Sequence, residues 1–116
     1  MKMLHVTVHT ARFSEEVAFY QDIVGLKIVD DRRPSGRDMV FLADAEGDTS
    51  MEIIGDLAAN DAGNAWLSVG FRSAGVEELR AELEKKGYAP TPIVAPNPHV
   101  KFFFVRDPAG VRVQFM

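Results

Sequence analysis

Cysteine is absent from the 116 residues. That removes disulfides, thiolate nucleophiles and cysteine-based zinc sites together. Positive charge is in deficit, with 13 Lys and Arg against 17 Asp and Glu and a formal net charge of -4. Nucleic acid and anionic membranes both demand a basic footprint, so neither is expected as a partner. No apolar run approaches the roughly twenty residues that span a bilayer. The segment Met1 to His9 alternates apolar and polar residues instead of carrying the solid apolar block of a signal peptide. The expectation is a soluble, cytoplasmic protein of one domain. With 47% hydrophobic and 26% charged residues, the chain has the composition of an ordinary globular protein. At this length folding buries roughly two-thirds of the unfolded surface, enough for a core.

What is present reads as one unit written twice. Leu4, Val6 and Val8 alternate with His5, Thr7 and His9, the period-two mark of a half-buried strand. Ser14 is placed to cap a helix with Glu15 and Glu16 in its first turn, the charge sign a helix N-terminus favours. Val17, Tyr20 and Val24 form its apolar stripe and Gly25 ends it. Strands follow at Leu26 to Asp30, Met39 to Ala43 and Ser50 to Ile54. After a small and polar linker, about 55–65, the order returns. Leu67, Val69 and Phe71 alternate with Trp66, Ser68 and Gly70, and Ser73 precedes a helix that Gly87 stops. Pro90 to Val94, Val100 to Val105 and Val111 to Met116 complete the set. Module one therefore spans about 1–55 and module two about 66–116, each reading β-α-β-β-β.

The spacing supports duplication. Gly25 and Gly87, Glu16 and Glu78, and Glu52 and Gln114 share one offset of 62 residues. The first strand needs 61, which pairs His5 with Trp66, Thr7 with Ser68 and His9 with Gly70. A one-residue insertion near Gly75 reconciles the two, and repetition of this kind governs the fold.

Side-chain alternation then separates two faces. Leu4, Val6, Val8, Met51, Ile53, Val111, Val113 and Phe115 fall toward the helices. His5, Thr7, His9, Glu52, Trp66, Ser68, Arg112 and Gln114 fall on the other face. A polar-rich sheet face is not needed for a core; it lines a pocket or is simply solvated. On the plainer reading Glu52 pairs with an arginine such as Arg112, and Trp66 packs in a dimer interface. Asp107-Pro108-Ala109-Gly110 is turn chemistry.

Several stretches together resemble one superfamily. They are His5-Val6-Thr7-Val8, Phe19-Tyr20, Gly25-Leu26 and Phe104-Val105-Arg106-Asp107-Pro108-Ala109-Gly110. With the duplicated module they resemble the vicinal oxygen chelate superfamily, the glyoxalase, bleomycin-resistance and extradiol-dioxygenase group. The resemblance implies an α+β fold in which two βαβββ modules form a curved sheet cup with helices on its convex side. It also implies a homodimer. In metal-dependent members four cup positions hold a divalent ion, and the matched residues are His5, Glu52, Trp66 and Gln114. His5 and Glu52 suit nickel, zinc, manganese or iron, and Gln114 offers an amide oxygen. Trp66 is a donor only and cannot ligate. His9, roughly 7 Å along the strand from His5, and His99 are the replacements available.

Two functions follow. In the first, no cofactor is bound and the cup sequesters or senses a small organic molecule. Trp66 is then its platform, with His5, Thr7, His9, Glu52, Ser68, His99, Arg112 and Gln114 as polar anchors. In the second, the resemblance implies a glyoxalase I-like lyase or isomerase acting on adjacent substrate oxygens. A divalent ion on His5, Glu52 and Gln114 polarises those oxygens, and Glu52 is the only matched carboxylate available to move a proton. The incomplete ligand set favours the first.

Overall fold

Two four-stranded sheets of identical topology divide the chain in the computed structural model, which describes all 116 residues. In module one, β1 (His5–Thr10), β2 (Lys27–Asp31), β3 (Met39–Ala43) and β4 (Ser50–Gly55) lie in the order β1-β4-β3-β2. In module two, β5 (Ser68–Phe71), β6 (Val94–Asn97), β7 (Val100–Arg106) and β8 (Arg112–Phe115) lie in the order β5-β8-β7-β6. β1 pairs in parallel with β4 as β5 does with β8, and the remaining pairs are antiparallel. The duplicated βαβββ reading holds. No helix is long and apolar enough to cross a membrane.

The helices depart from their expected caps. α1 (Phe13–Ala18) starts behind Arg12 with no side-chain cap, so Ser14 lies inside the helix. It continues as a π-helical stretch, Phe19–Val24, closed by Gly25 at φ 83°, a left-handed conformation that glycine adopts without a Cβ penalty. α2 (Val76–Lys85) has Gly75 as N-cap. Ser73 instead accepts the Gly75 N–H at 3.2 Å, a local turn ahead of the helix. The expected strand at Pro90 to Val94 shifts to Val94–Asn97, a short edge strand that itself holds Pro96. Thr91, between Pro90 and Pro92, still pairs with Phe104, donating its N–H to the Phe104 carbonyl at 2.9 Å.

One apolar core serves both modules. Val8, Val40, Leu42 and Ile53 from the first sheet and Phe103, Val105, Val113 and Phe115 from the second join α1 and Leu83 of α2 in a single buried cluster. α1 is the bridge between modules. Phe19 meets Tyr88 edge-on at 5.6 Å between ring centroids, and Tyr20 meets Phe71 at 6.1 Å. Glu16 is fully buried beside them, its Oε2 accepting the Ala109 N–H at 2.9 Å. Burial and the neighbouring Asp107 carboxylate push the Glu16 carboxyl up to about 10, so it holds its proton at neutrality. The molecule is elongated, 47 × 30 × 25 Å.

Candidate functional site

Register decides which outward side chains meet. β1 and β4 place Thr7 opposite Glu52 and His5 opposite Ser50. The Thr7 hydroxyl donates to Glu52 Oε1 at 2.5 Å, and His5 Nε2 stands 3.7 Å from the same oxygen. Phe41, the β3 partner of Glu52, touches His5 edge-on at 5.6 Å between centroids. Glu52 is therefore buried beneath an exposed imidazole, held by one hydroxyl and walled by one ring. The proposed Glu52–Arg112 ion pair does not form; the partners of Glu52 are Thr7 and His5. His9 is exposed further along β1, opposite Ile54.

In module two the corresponding face is different chemistry. β5 and β8 set Ser68 opposite Arg112 and Gly70 opposite Gln114. A Cβ on Gly70 would lie 3.4 Å from Gln114 Oε1, so the glycine leaves that amide uncrowded. Arg112 lays its guanidinium over Phe104, 4.4 Å from the ring centroid, a cation–π contact.

The register corrects the pairing inferred from spacing. Since Glu52 faces Thr7 and Gln114 faces Gly70, Gly70 is the counterpart of Thr7, and Ser68 is the counterpart of His5. Trp66 lies outside β5 altogether. It ends a 3-10 helix, Asp61–Trp66, whose N-cap Asn60 accepts the Ala62 N–H. Its side chain is 94% exposed. The residue still borders the outward face, sharing a cavity with Ser68, Arg106 and Arg112.

His99 belongs elsewhere. It sits in the β6–β7 turn, its N–H donating to Asn97 Oδ1 at 2.9 Å, and lines a groove with Glu77, Glu78 and Met116. No His5, Glu52 or Gln114 borders that groove. Nor does any hydrogen bond or ion pair join His5 or Glu52 to Gln114 within the chain. No group of three or more His, Asp or Glu side chains is placed to hold a metal ion. His5 and Glu52 supply two donors, and by register Ser68 is the module-two counterpart of His5.

The family model for the glyoxalase/bleomycin resistance protein/dioxygenase superfamily matches residues 2–115. The chain belongs to this superfamily. Three solved structures show how broadly the fold is shared. The trypanothione-dependent glyoxalase I of Leishmania major superposes with a TM-score of 0.75 at 21% identity, covering 100% of this chain and 86% of that one. TnmS3, an antibiotic binding protein from Streptomyces sp. CB03234, gives 0.75 at 18% identity, covering 99% and 93%. The bleomycin-binding protein of Streptomyces verticillus, in complex with copper(II)-bleomycin, gives 0.63 at 21%, covering 100% and 95%. These identities carry the fold of this superfamily member and not its chemistry. No curated protein matches its sequence.

Two features of the superfamily member escaped the sequence. Arg106, within the motif before the last strand, faces the same cavity as Trp66 and Arg112. Phe41, inside the Met39 to Ala43 strand, flanks His5 on the polar face. Alternation along β3 and β7 carried both signals.

Proposed function

We propose that the protein is a small-molecule-binding member of its superfamily, a homodimeric cup that sequesters or senses an organic ligand without a resident metal. The observation that carries this reading is the mismatch between the two module faces: His5 and Glu52 on one, Ser68, Gly70 and Arg112 on the other. That combination fits an organic molecule better than an ion. Phe41 stands beside His5, while Trp66 and Phe104 border two separate cavities that share Arg106 and Arg112; aromatic surface with a few polar groups is the usual make-up of a ligand site. Thr7, His9 and Gln114 add hydrogen-bonding capacity on the same strands.

The His5–Glu52 approach of 3.7 Å favours one alternative. If a second chain supplies the remaining donors, a divalent ion held by His5, Glu52 and Gln114 would act as a Lewis acid on adjacent substrate oxygens. Glu52 would then be asked to serve as both ligand and proton carrier, which weakens this lyase or isomerase reading.

Metal content of the untagged protein separates the two, with thermal shifts on adding Ni²⁺, Zn²⁺, Mn²⁺ and Fe²⁺. The binding reading expects no stoichiometric metal and no shift, followed by hits in a ligand screen. Near one metal per subunit, lost in His5→Ala, would overturn it in favour of the enzyme.

A further inference from the structure

Arg106 on β7 and Arg112 on β8 are direct cross-strand partners. Residues directly opposite in an antiparallel pair project from the same face, and like charges so placed are destabilising. Neither guanidinium has a carboxylate within ion-pair distance. By contrast Arg32, Arg33 and Arg80 are each paired, with Asp30, Asp31 and Glu84. Arg12, Arg37 and Arg72 are likewise without a carboxylate partner, but only Arg106 and Arg112 stand directly opposite one another on paired strands.

The pair is held in place. Arg106 Nη1 donates to the carbonyls of Ala65 and Gly110 at 3.0 and 3.1 Å, which fixes the fork and leaves its other N–H groups free. Arg112 is fixed over Phe104. Two shallow cavities flank the pair: one is walled by Trp66 and Ser68, the other by Phe104 and Thr91, and both arginines border each. A planar cation fork matches a carboxylate by two parallel hydrogen bonds, and an exposed indole presents a flat face to an aromatic ring.

Resting on the cup reading above, we propose that the ligand is an aromatic carboxylate, its anion held between Arg106 and Arg112 and its ring against Trp66. The anion replaces the missing counter-charge, so binding removes the repulsion the empty face carries. Module two supplies charge recognition, while the His5–Glu52 side of module one is left to contact the ligand's polar remainder.

The test compares 2-naphthoate with its neutral isostere 2-naphthamide by isothermal calorimetry at low ionic strength. Wild type should prefer the acid by about tenfold, the usual advantage of charge-assisted over neutral hydrogen bonds. The preference should shrink with added salt and vanish in Arg106→Gln/Arg112→Gln, while Trp66→Ala weakens both probes alike. Because both arginines are exposed, the double variant should fold, which circular dichroism checks before titration. Equal affinity for acid and amide overturns the anion assignment and leaves the cup reading standing. An acid preference that survives the double variant overturns its placement. Binding of neither probe overturns the proposal; a silent neutral-ligand screen as well would bring down the cup reading itself.

Discussion

The Tyr20 hydroxyl donates to Asp107 Oδ2 at 2.8 Å in a fully buried contact between residues 87 apart. Asp107 Oδ1 also accepts the N–H groups of Ala109 at 3.0 Å and Val111 at 2.8 Å. One carboxylate thus shapes the β7–β8 turn and ties it to the helix of the other module. Tyr20→Phe keeps the ring packing and leaves Oδ2 short of a donor in the interior. Its expected cost is about 1–3 kcal/mol, the range for an unmet buried acceptor. Urea unfolding measures it, and an unchanged midpoint would mean the tether contributes nothing.

Glu16 adds a pH dependence with a definite sign. Its folded pKa, near 10, lies above the unfolded value of 4.5 because burial and Asp107 disfavour the charge, with Asp61 adding to the effect. The folded state therefore holds a proton that the unfolded chain releases, and stability falls as pH rises from about 4.5 toward 10. Glu16→Gln retains an acceptor for the Ala109 N–H and carries no acidic proton to release on unfolding. It should match wild type near the acid end of that window and exceed it increasingly at mildly alkaline pH. Thermal unfolding across the range checks this; parallel pH profiles for the two proteins would contradict it.

Much of this architecture was legible in the chain because strand alternation is a local signal. Val6-Thr7-Val8 and Val111-Arg112-Val113 announce their faces without any knowledge of partners. Register is not local, and that is where the inference slipped. Trp66 continues the alternation of Leu67 to Phe71 by coincidence, while the hydrogen-bonded ladder begins at Ser68. Nothing in spacing alone distinguishes a strand's first residue from the last residue of a preceding 3-10 turn. Glu16 failed for a related reason: an acidic residue in a first helical turn reads as solvated, and only the packed turn at Ala109 explains its burial.

The corrected register yields a discriminating pair of variants. If Ser68 is the counterpart of His5, then Ser68→His with Gln114→Glu supplies an imidazole and a carboxylate on adjacent strands. That protein should gain affinity for nickel or zinc, read by calorimetry and by a thermal shift. Trp66→His with Gln114→Glu should gain far less, since position 66 precedes the strand. Equal gains from both would return Trp66 to the position inferred from spacing.

Gly55 offers a test of packing at the end of β4. A Cβ there would lie 2.8 Å from Asp38 Cβ and 3.1 Å from Phe13 Cβ, and neither neighbour is the free end of a flexible chain. Gly55→Ala should cost about 1–3 kcal/mol, as overpacking does. A neutral result by urea unfolding would show that the start of α1 can move away from the sheet.

Trp66 is the sole tryptophan, so its fluorescence reports on one site. Two roles compete for its exposed ring: burial between subunits, or a platform for ligand. The platform role follows from its cavity with Ser68, Arg106 and Arg112. On that reading, emission stays that of a hydrated indole, and iodide quenching stays high, as protein concentration is raised through the range where light scattering detects a dimer. Both should change when an aromatic carboxylate is added, and the change should be absent in Arg106→Gln/Arg112→Gln. A blue shift that tracks dimer formation in the absence of ligand would assign the ring to the subunit interface instead. The exposed Leu57 on the same linker would then be the natural second residue to substitute, because an interface patch would lose affinity with either side chain while a ligand platform would lose it with Trp66 alone.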